Sequence, residues 1–125
     1  MFTQMLAERL TKTSKIRTIE AKSGIELEPG QAWIAPGDYH LVVVRDELRV
    51  RTRVHQDPPE NACRPAVDPL LRSVARVYGG NCLAVILTGM GQDGLRGSEA
   101  IRAAGGQILA QDEATSVVWG MPGYV

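Results

Sequence analysis

A chain of 125 residues fits one modest domain or part of a larger one, and at this length roughly two-thirds of the unfolded surface can be buried. Hydrophobic residues make up 44% and charged residues 22%, the balance of an ordinary globular chain. Lys+Arg and Asp+Glu number 14 each, and this zero net charge argues against a nucleic-acid surface and gives no support to an anionic membrane partner. Cys63 and Cys82 stand far apart and form no CxxC pair, and two histidines make no metal-ligand cluster, so neither disulfide, metal nor cofactor is expected. No run of about 18 apolar residues exists to insert into a membrane, and no apolar leader follows Met1; the expected location is the cytoplasm.

Taken in chain order, residues 2–13 (FTQMLAERLTKT) place Phe2, Met5, Leu6 and Leu10 on one face and predict an amphipathic helix. IRTIE (16–20) alternates as a strand does, and Ser23-Gly24 and Pro29-Gly30 mark turns. AWIA (32–35) is a short strand stopped by Pro36-Gly37. YHLVVVR (39–45) and LRVRTRV (48–54), on either side of Asp46-Glu47, predict a β-hairpin. DPPENACRP (57–65) is a loop. Asp68-Pro69 has the form of a helix N-cap and an N1 proline, for a helix running to about Tyr78 and ending at Gly79-Gly80.

CLAVILT (82–88) is a continuous apolar run, the pattern of a strand buried on both faces of a parallel sheet. A helix from about Leu95 to Ala104 follows, with Gly105-Gly106 as its stop, then the strand QILAQ (107–111). In DEATSVVWGMPGYV, Asp112 or Thr115 is a candidate cap for a last helix. Helix, strand, helix, strand, helix is the doubly wound α/β order: a Rossmann-like, mostly parallel sheet, here with an inserted antiparallel hairpin.

The stretch LTGMGQDGLRG (87–97) admits three readings. Gly89-x-Gly91-x-x-Gly94 between a strand and a helix has dinucleotide-binding spacing, and Asp112, 18 residues beyond Gly94, approximates the ribose-binding acid. Against this, Asp93 would set a negative charge where a pyrophosphate needs free N–H groups. The fingerprint also normally follows the first strand of its domain, whereas about 80 residues precede it here. In the second reading, a turn at the carboxyl end of a parallel strand presents Asp93 to a histidine Nδ1–H, the third role of a Ser-His-Asp set. In the third, Asp93 only caps the helix that follows.

ILTGMGQDGLRGSEAIRAAGG and AQDEATSVVWGMPG, together with IAPGDYHL (34–41), FTQMLAERL (2–10) and Arg64-Pro65-x-Val67-Asp68, resemble the catalytic domain of the chemotaxis protein-glutamate methylesterases (the CheB type), in family order over nearly the whole chain. The resemblance implies hydrolysis of γ-glutamyl methyl esters, and deamidation of glutamines, on the cytoplasmic helices of methylated chemoreceptors by a Ser-His-Asp triad. It maps the triad Asp to Asp93 and links the backbone N–H of Met90 to the oxyanion site. Full-length relatives also carry a receiver domain.

The family's nucleophile lies in a glycine-flanked Ser motif on an early strand, and its histidine lies just upstream of the FTxxLAxRL helix. None of Ser14, Ser23, Ser73, Ser98 and Ser116 lies in such a turn. His40 reads as a hydrogen-bonded hairpin residue and His55 as the end of an exposed strand. The expectation is an incomplete catalytic domain, residues 1–125, that carries Asp93 without its serine and histidine and is inactive alone. The runner-up is a non-catalytic receptor-binding module on the same scaffold. An open sheet edge gives a route to self-association.

Among other residues, Trp33 and Trp119 read as packing residues, with a receptor-binding surface as the alternative. Arg45, Arg49, Arg51 and Arg53 read as the solvated face of the hairpin, with docking to an acidic receptor helix as the alternative. Gln111-Asp112-Glu113 reads as a helix start.

Overall fold

The computed structural model describes residues 2–125. Helix α1 (Phe2–Thr13) turns its buried Ala7 toward β1 (Arg17–Glu20) and β2 (Gln31–Ile34), which pair in parallel with Arg17 opposite Gln31. One hydroxyl ties helix to strand: Thr11 Oγ1 accepts the Thr18 N–H at 2.9 Å. Strands β3 (His40–Asp46) and β4 (Arg49–His55) form an antiparallel hairpin closed by Glu47 and Leu48, with Glu47 in the left-handed region at φ 57°. The expected hairpin is therefore present, displaced by one residue.

Helix α2 (Val67–Tyr78) docks on that hairpin through Ser73, whose Oγ accepts the Val43 N–H at 3.0 Å and donates to the Leu70 carbonyl at 2.7 Å. Strands β5 (Leu83–Ile86) and β6 (Gln107–Ala110) pair in parallel, and α3 (Leu95–Ala103) connects them. Leu71 of α2, Ile101 of α3, and Ala84 and Ile86 of β5 make one buried cluster, with Val67, Val74, Ile108 and Met121 packed against it. Gly97 lets α2 and α3 approach: a Cβ there would lie 2.6 Å from the Leu71 Cβ.

The architecture is α/β, with two parallel pairs and an inserted antiparallel pair. Three local expectations are corrected. The strands fall into three hydrogen-bonded pairs, not one continuous sheet. Strand β5 is not buried on both faces. Ala84 and Ile86 face α2 and α3, whereas Leu83 and Val85 stay 56% and 51% exposed, because both helices lie on the same side. Finally, α2 starts one residue before Asp68, so Ala66 holds the N-cap position with extended backbone and no side-chain cap. Pro69 is then the third residue of the helix, where a missing N–H still costs nothing.

The last segment also departs from expectation. Asp112 caps a turn rather than a helix, accepting the Thr115 N–H at 3.0 Å, and the only helix beyond it among the described residues is the short α4 (Gly120–Tyr124). No helix among the described residues is long and apolar enough to cross a membrane.

Candidate active site

The two helices that flank β5 both begin at residues unable to cap them. Ala66 has no polar side chain, and Gly94, at φ 103°, has no side chain at all. A helix N-terminus leaves several N–H groups without partners. Each helix is capped by an aspartate from the start of the other. Asp93, just before α3, accepts the N–H of Val67 at 2.7 Å on Oδ2 and of Asp68 at 3.1 Å on Oδ1. Asp68, in the first turn of α2, accepts the N–H of Gly94 at 3.0 Å and of Gly97 at 2.8 Å on Oδ1. The third reading of Asp93 is thus half right: it is a cap, but of α2 and not of the helix that follows it.

Both carboxylates are buried, Asp93 8% and Asp68 1% exposed. Two buried carboxyl groups side by side need hydrogen-bond partners and compensation. The positive ends of two helix dipoles supply part of it. The rest comes from Asn61, whose Nδ2 donates to Asp68 Oδ2 at 2.9 Å and to Asp93 Oδ1 at 3.1 Å. Asn61 sits in the left-handed region at φ 53°, in the tight turn that Glu60 and Cys63 close within the 57–65 loop. An ionised carboxylate offers about four acceptor positions. Asp93 uses three, leaving one open for a further donor such as a histidine Nδ1–H.

The same geometry removes the dinucleotide reading. Two of the N–H groups at the start of α3 that a pyrophosphate would need, those of Gly94 and Gly97, are already taken by the Asp68 carboxylate.

The glycine turn before Asp93 is held by the last segment of the chain. Gly89 N–H donates to the Val118 carbonyl at 2.9 Å, and Met121 N–H donates to the Gly89 carbonyl at 2.8 Å. Thr88 Oγ1 accepts the Val118 N–H at 2.8 Å, and Thr88 N–H donates to Gln111 Oε1 at 2.7 Å. Gly120 presses flat against the turn: a Cβ there would lie 3.0 Å from both the Gly89 carbonyl oxygen and the Gly91 nitrogen. The Met90 N–H, by contrast, finds no acceptor among the described residues. TGMGQDG and SVVWGMPG, some distance apart in sequence, are therefore one structural unit.

The CheB methylesterase family model matches residues 1–125. The chain belongs to the CheB methylesterase family. It is 58% identical to the protein-glutamate methylesterase/protein-glutamine glutaminase of Trichodesmium erythraeum (strain IMS101), over 100% of this chain and 36% of that protein. It is 54% identical to the protein of the same name from Maricaulis maris (strain MCS10), over 100% of this chain and 31% of that one. The crystal structure of the Thermotoga maritima CheB methylesterase catalytic domain superposes with a TM-score of 0.96 at 43% identity, covering 99% of this chain and 66% of that chain. The chain thus spans about a third of the length of its curated relatives.

Within this CheB methylesterase segment the remaining candidates have structural partners. His40 is fully buried, and its two ring nitrogens are both engaged. Nδ1 accepts the Ala66 N–H at 3.2 Å, so Nε2 carries the proton and donates to the Pro58 carbonyl at 3.1 Å. It anchors the 57–65 loop and has no nitrogen left for Asp93. His55 stacks at a tilt on His40, and its Nδ1 accepts the Asp57 N–H at 3.3 Å. Ser14, Ser23, Ser73 and Ser116 donate to backbone carbonyls, and Ser98 is buried inside α3.

Three hairpin arginines are committed within the chain. Arg45 donates to the Val77 carbonyl, Arg49 pairs with Glu26, and Arg51 pairs with Asp46. Trp119 is half-exposed, with its Nε1 donating to the Gln111 carbonyl at 3.3 Å. Cys63 and Cys82 are free thiols, and no group of metal-ligating side chains occurs among the described residues. One carboxylate carries a perturbed acidity. The Thr115 hydroxyl, and with it the Thr115 N–H, donates to Asp112 and holds its pKa below the ordinary carboxylate value.

Sequence reading missed Asn61, which looked like one polar residue in a loop, and it assigned Asp68 to its own helix. The available signal was a pair of aspartates, Asp68 and Asp93, each beside a helix start whose N-cap position holds Ala or Gly.

Proposed function

We propose that this segment supplies the acid and one oxyanion donor of a protein-glutamate methylesterase and protein-glutamine glutaminase. Its substrates are γ-glutamyl methyl esters and glutamines on the cytoplasmic helices of chemoreceptors. The observation that carries the reading is the Asp93 carboxylate, buried, bonded by three N–H donors and left with one open acceptor position, in the same turn as the unbonded Met90 N–H. Serine and histidine come from sequence outside residues 1–125; the relatives' greater length leaves room for them and for a receiver domain.

The serine Oγ attacks the γ-carbonyl carbon while the histidine takes the hydroxyl proton, and the Met90 N–H faces the oxygen that gains charge. Collapse of the intermediate expels methanol from an ester, or ammonia from an amide, with the proton returned by the histidine. Water then repeats the cycle on the acyl-enzyme. Asp93 holds the histidine's Nδ1–H and stabilises the imidazolium. Such chemistry belongs in the cytoplasm, where receptor helices are exposed.

Methyl release from methylated receptor tests this. In the whole polypeptide that carries this segment, Asp93→Asn is expected to lower kcat by about 10⁴-fold, as loss of a triad carboxylate does elsewhere. Unchanged turnover in that variant would overturn the assignment.

A further inference from the structure

The geometry points to Asn61 as a positioning residue for the reaction: its side-chain amide, through one bond to Asp93 and one to Asp68, orients the Asp93 carboxylate toward the histidine. This rests on the reading of Asp93 given above. Backbone donors alone do not settle which oxygen is left for the histidine. The Val67 and Asp68 N–H groups approach Asp93 from α2 only, one on each oxygen. These two bonds set the plane of the carboxylate but load its two oxygens equally. Asn61 approaches from the 57–65 loop and loads Oδ1 with a second donor. Its other contact, on Asp68 Oδ2, ties that orientation to the carboxylate holding the start of α3 and thus the end of the Met90 turn.

The loop is in turn locked to the fold. His40 bonds Pro58 and Ala66, and Glu60 exchanges backbone hydrogen bonds with Cys63. Arg64 reaches Asp38 at 2.8 Å, and Arg72 reaches Glu60 at 2.6 Å. Such a frame around one inward-pointing amide suits a side chain whose angle matters. Asn61 and Ala62 are the two central residues of the turn closed by Glu60 and Cys63, both in the left-handed region, which asparagine tolerates better than most residues. Hydrogen-bond partners that orient metal ligands typically influence activity by about 10- to 100-fold, and a partner that orients a triad carboxylate is expected to act on the same scale.

The test is a double-mutant cycle on kcat in the whole polypeptide, with methylated receptor as substrate. Asn61→Gly is the primary variant, because glycine accepts φ 53° without strain and removes only the amide. The expected result is a kcat reduced about 10- to 100-fold with KM unchanged. In the Asp93→Asn background the same substitution is expected to change kcat less than twofold, because the group it orients no longer functions. Asn61→Ser, which keeps a donor but shortens the reach, provides a second variant should the glycine protein be poorly folded by near-ultraviolet circular dichroism; it is expected to lower kcat in the same direction.

Full activity in Asn61→Gly, a change in KM alone, or full additivity with Asp93→Asn would each overturn the positioning role while leaving Asp93 in place. Unchanged kcat in Asp93→Asn by itself would sink the underlying reading and this inference with it.

Discussion

The two parallel strand pairs of this protein are built from the same parts and held very differently. Around β5 and β6, two helices bury Leu71, Ile86 and Ile101 in one cluster, and their N-termini are cross-capped by Asp68 and Asp93. Around β1 and β2, one helix contributes a single buried side chain, Ala7, and Phe2, Met5 and Ile16 remain exposed. The first region has its own buried apolar cluster and carries the candidate site. The second has an apolar helix face and no interior of its own. Precise chemistry sits where packing and hydrogen bonding over-determine the backbone, a general requirement for a group that must be held within fractions of an ångström.

The largest expected effect separates the two regions by stability. Ile101→Ala removes a fully buried side chain from the centre of the cluster and is expected to cost about 2–5 kcal/mol. Met5→Ala, on the exposed face of α1, is expected to change stability by no more than about 0.5 kcal/mol. Urea denaturation followed by circular dichroism compares them. Equal costs would mean that the α1 face is packed in solution and that the contrast drawn here is wrong.

The elements on both sides of this contrast were legible in the sequence, and what was not legible has a physical cause. Apolar patterning located the two helices and two strands around the site, α2, α3, β5 and β6, because side-chain spacing encodes the element type directly. It misjudged β5, since a continuous apolar run says that burial is possible, not which face the helices will cover. TGMGQDG marked the candidate turn, but its clamp by Val118, Gly120 and Met121 depends on backbone groups that every residue has. The crossed capping of Asp68 and Asp93 was hidden for a related reason: capping rules are local, and here each cap is exchanged between helices some 25 residues apart.

A middle-sized effect tests whether that exchange matters on its own. Asp68→Ala leaves the Gly94 and Gly97 N–H groups buried without an acceptor and strands the second proton of the Asn61 amide. The expected cost is about 2 kcal/mol, the upper range for loss of a helix cap. Asp68→Asn retains one acceptor oxygen and is expected to cost less than half as much. If the alanine variant were as stable as the parent in urea, the rigidity of the β5–β6 region would rest on its apolar cluster alone.

The smallest effect concerns the segment that clamps the glycine turn. Asp112 is exposed, and its pKa is lowered first by the Thr115 hydroxyl and next by the Thr115 N–H. A carboxylate more acidic in the folded state stabilises its turn above the unfolded pKa, and that contribution is lost as pH falls through the folded value. The 112–116 turn is therefore expected to loosen only in strong acid and to be unaffected near neutrality. Thr115→Val removes the larger of the two donors while keeping the backbone one. It is expected to move the Asp112 pKa up toward the ordinary carboxylate value, read from side-chain carboxyl shifts in an NMR titration, with kcat unchanged at neutral pH. An unmoved Asp112 pKa would show that the hydroxyl does not hold the carboxylate in solution, and the order of this end of the clamp would then rest on the Gln111 contacts to Thr88 and Thr115.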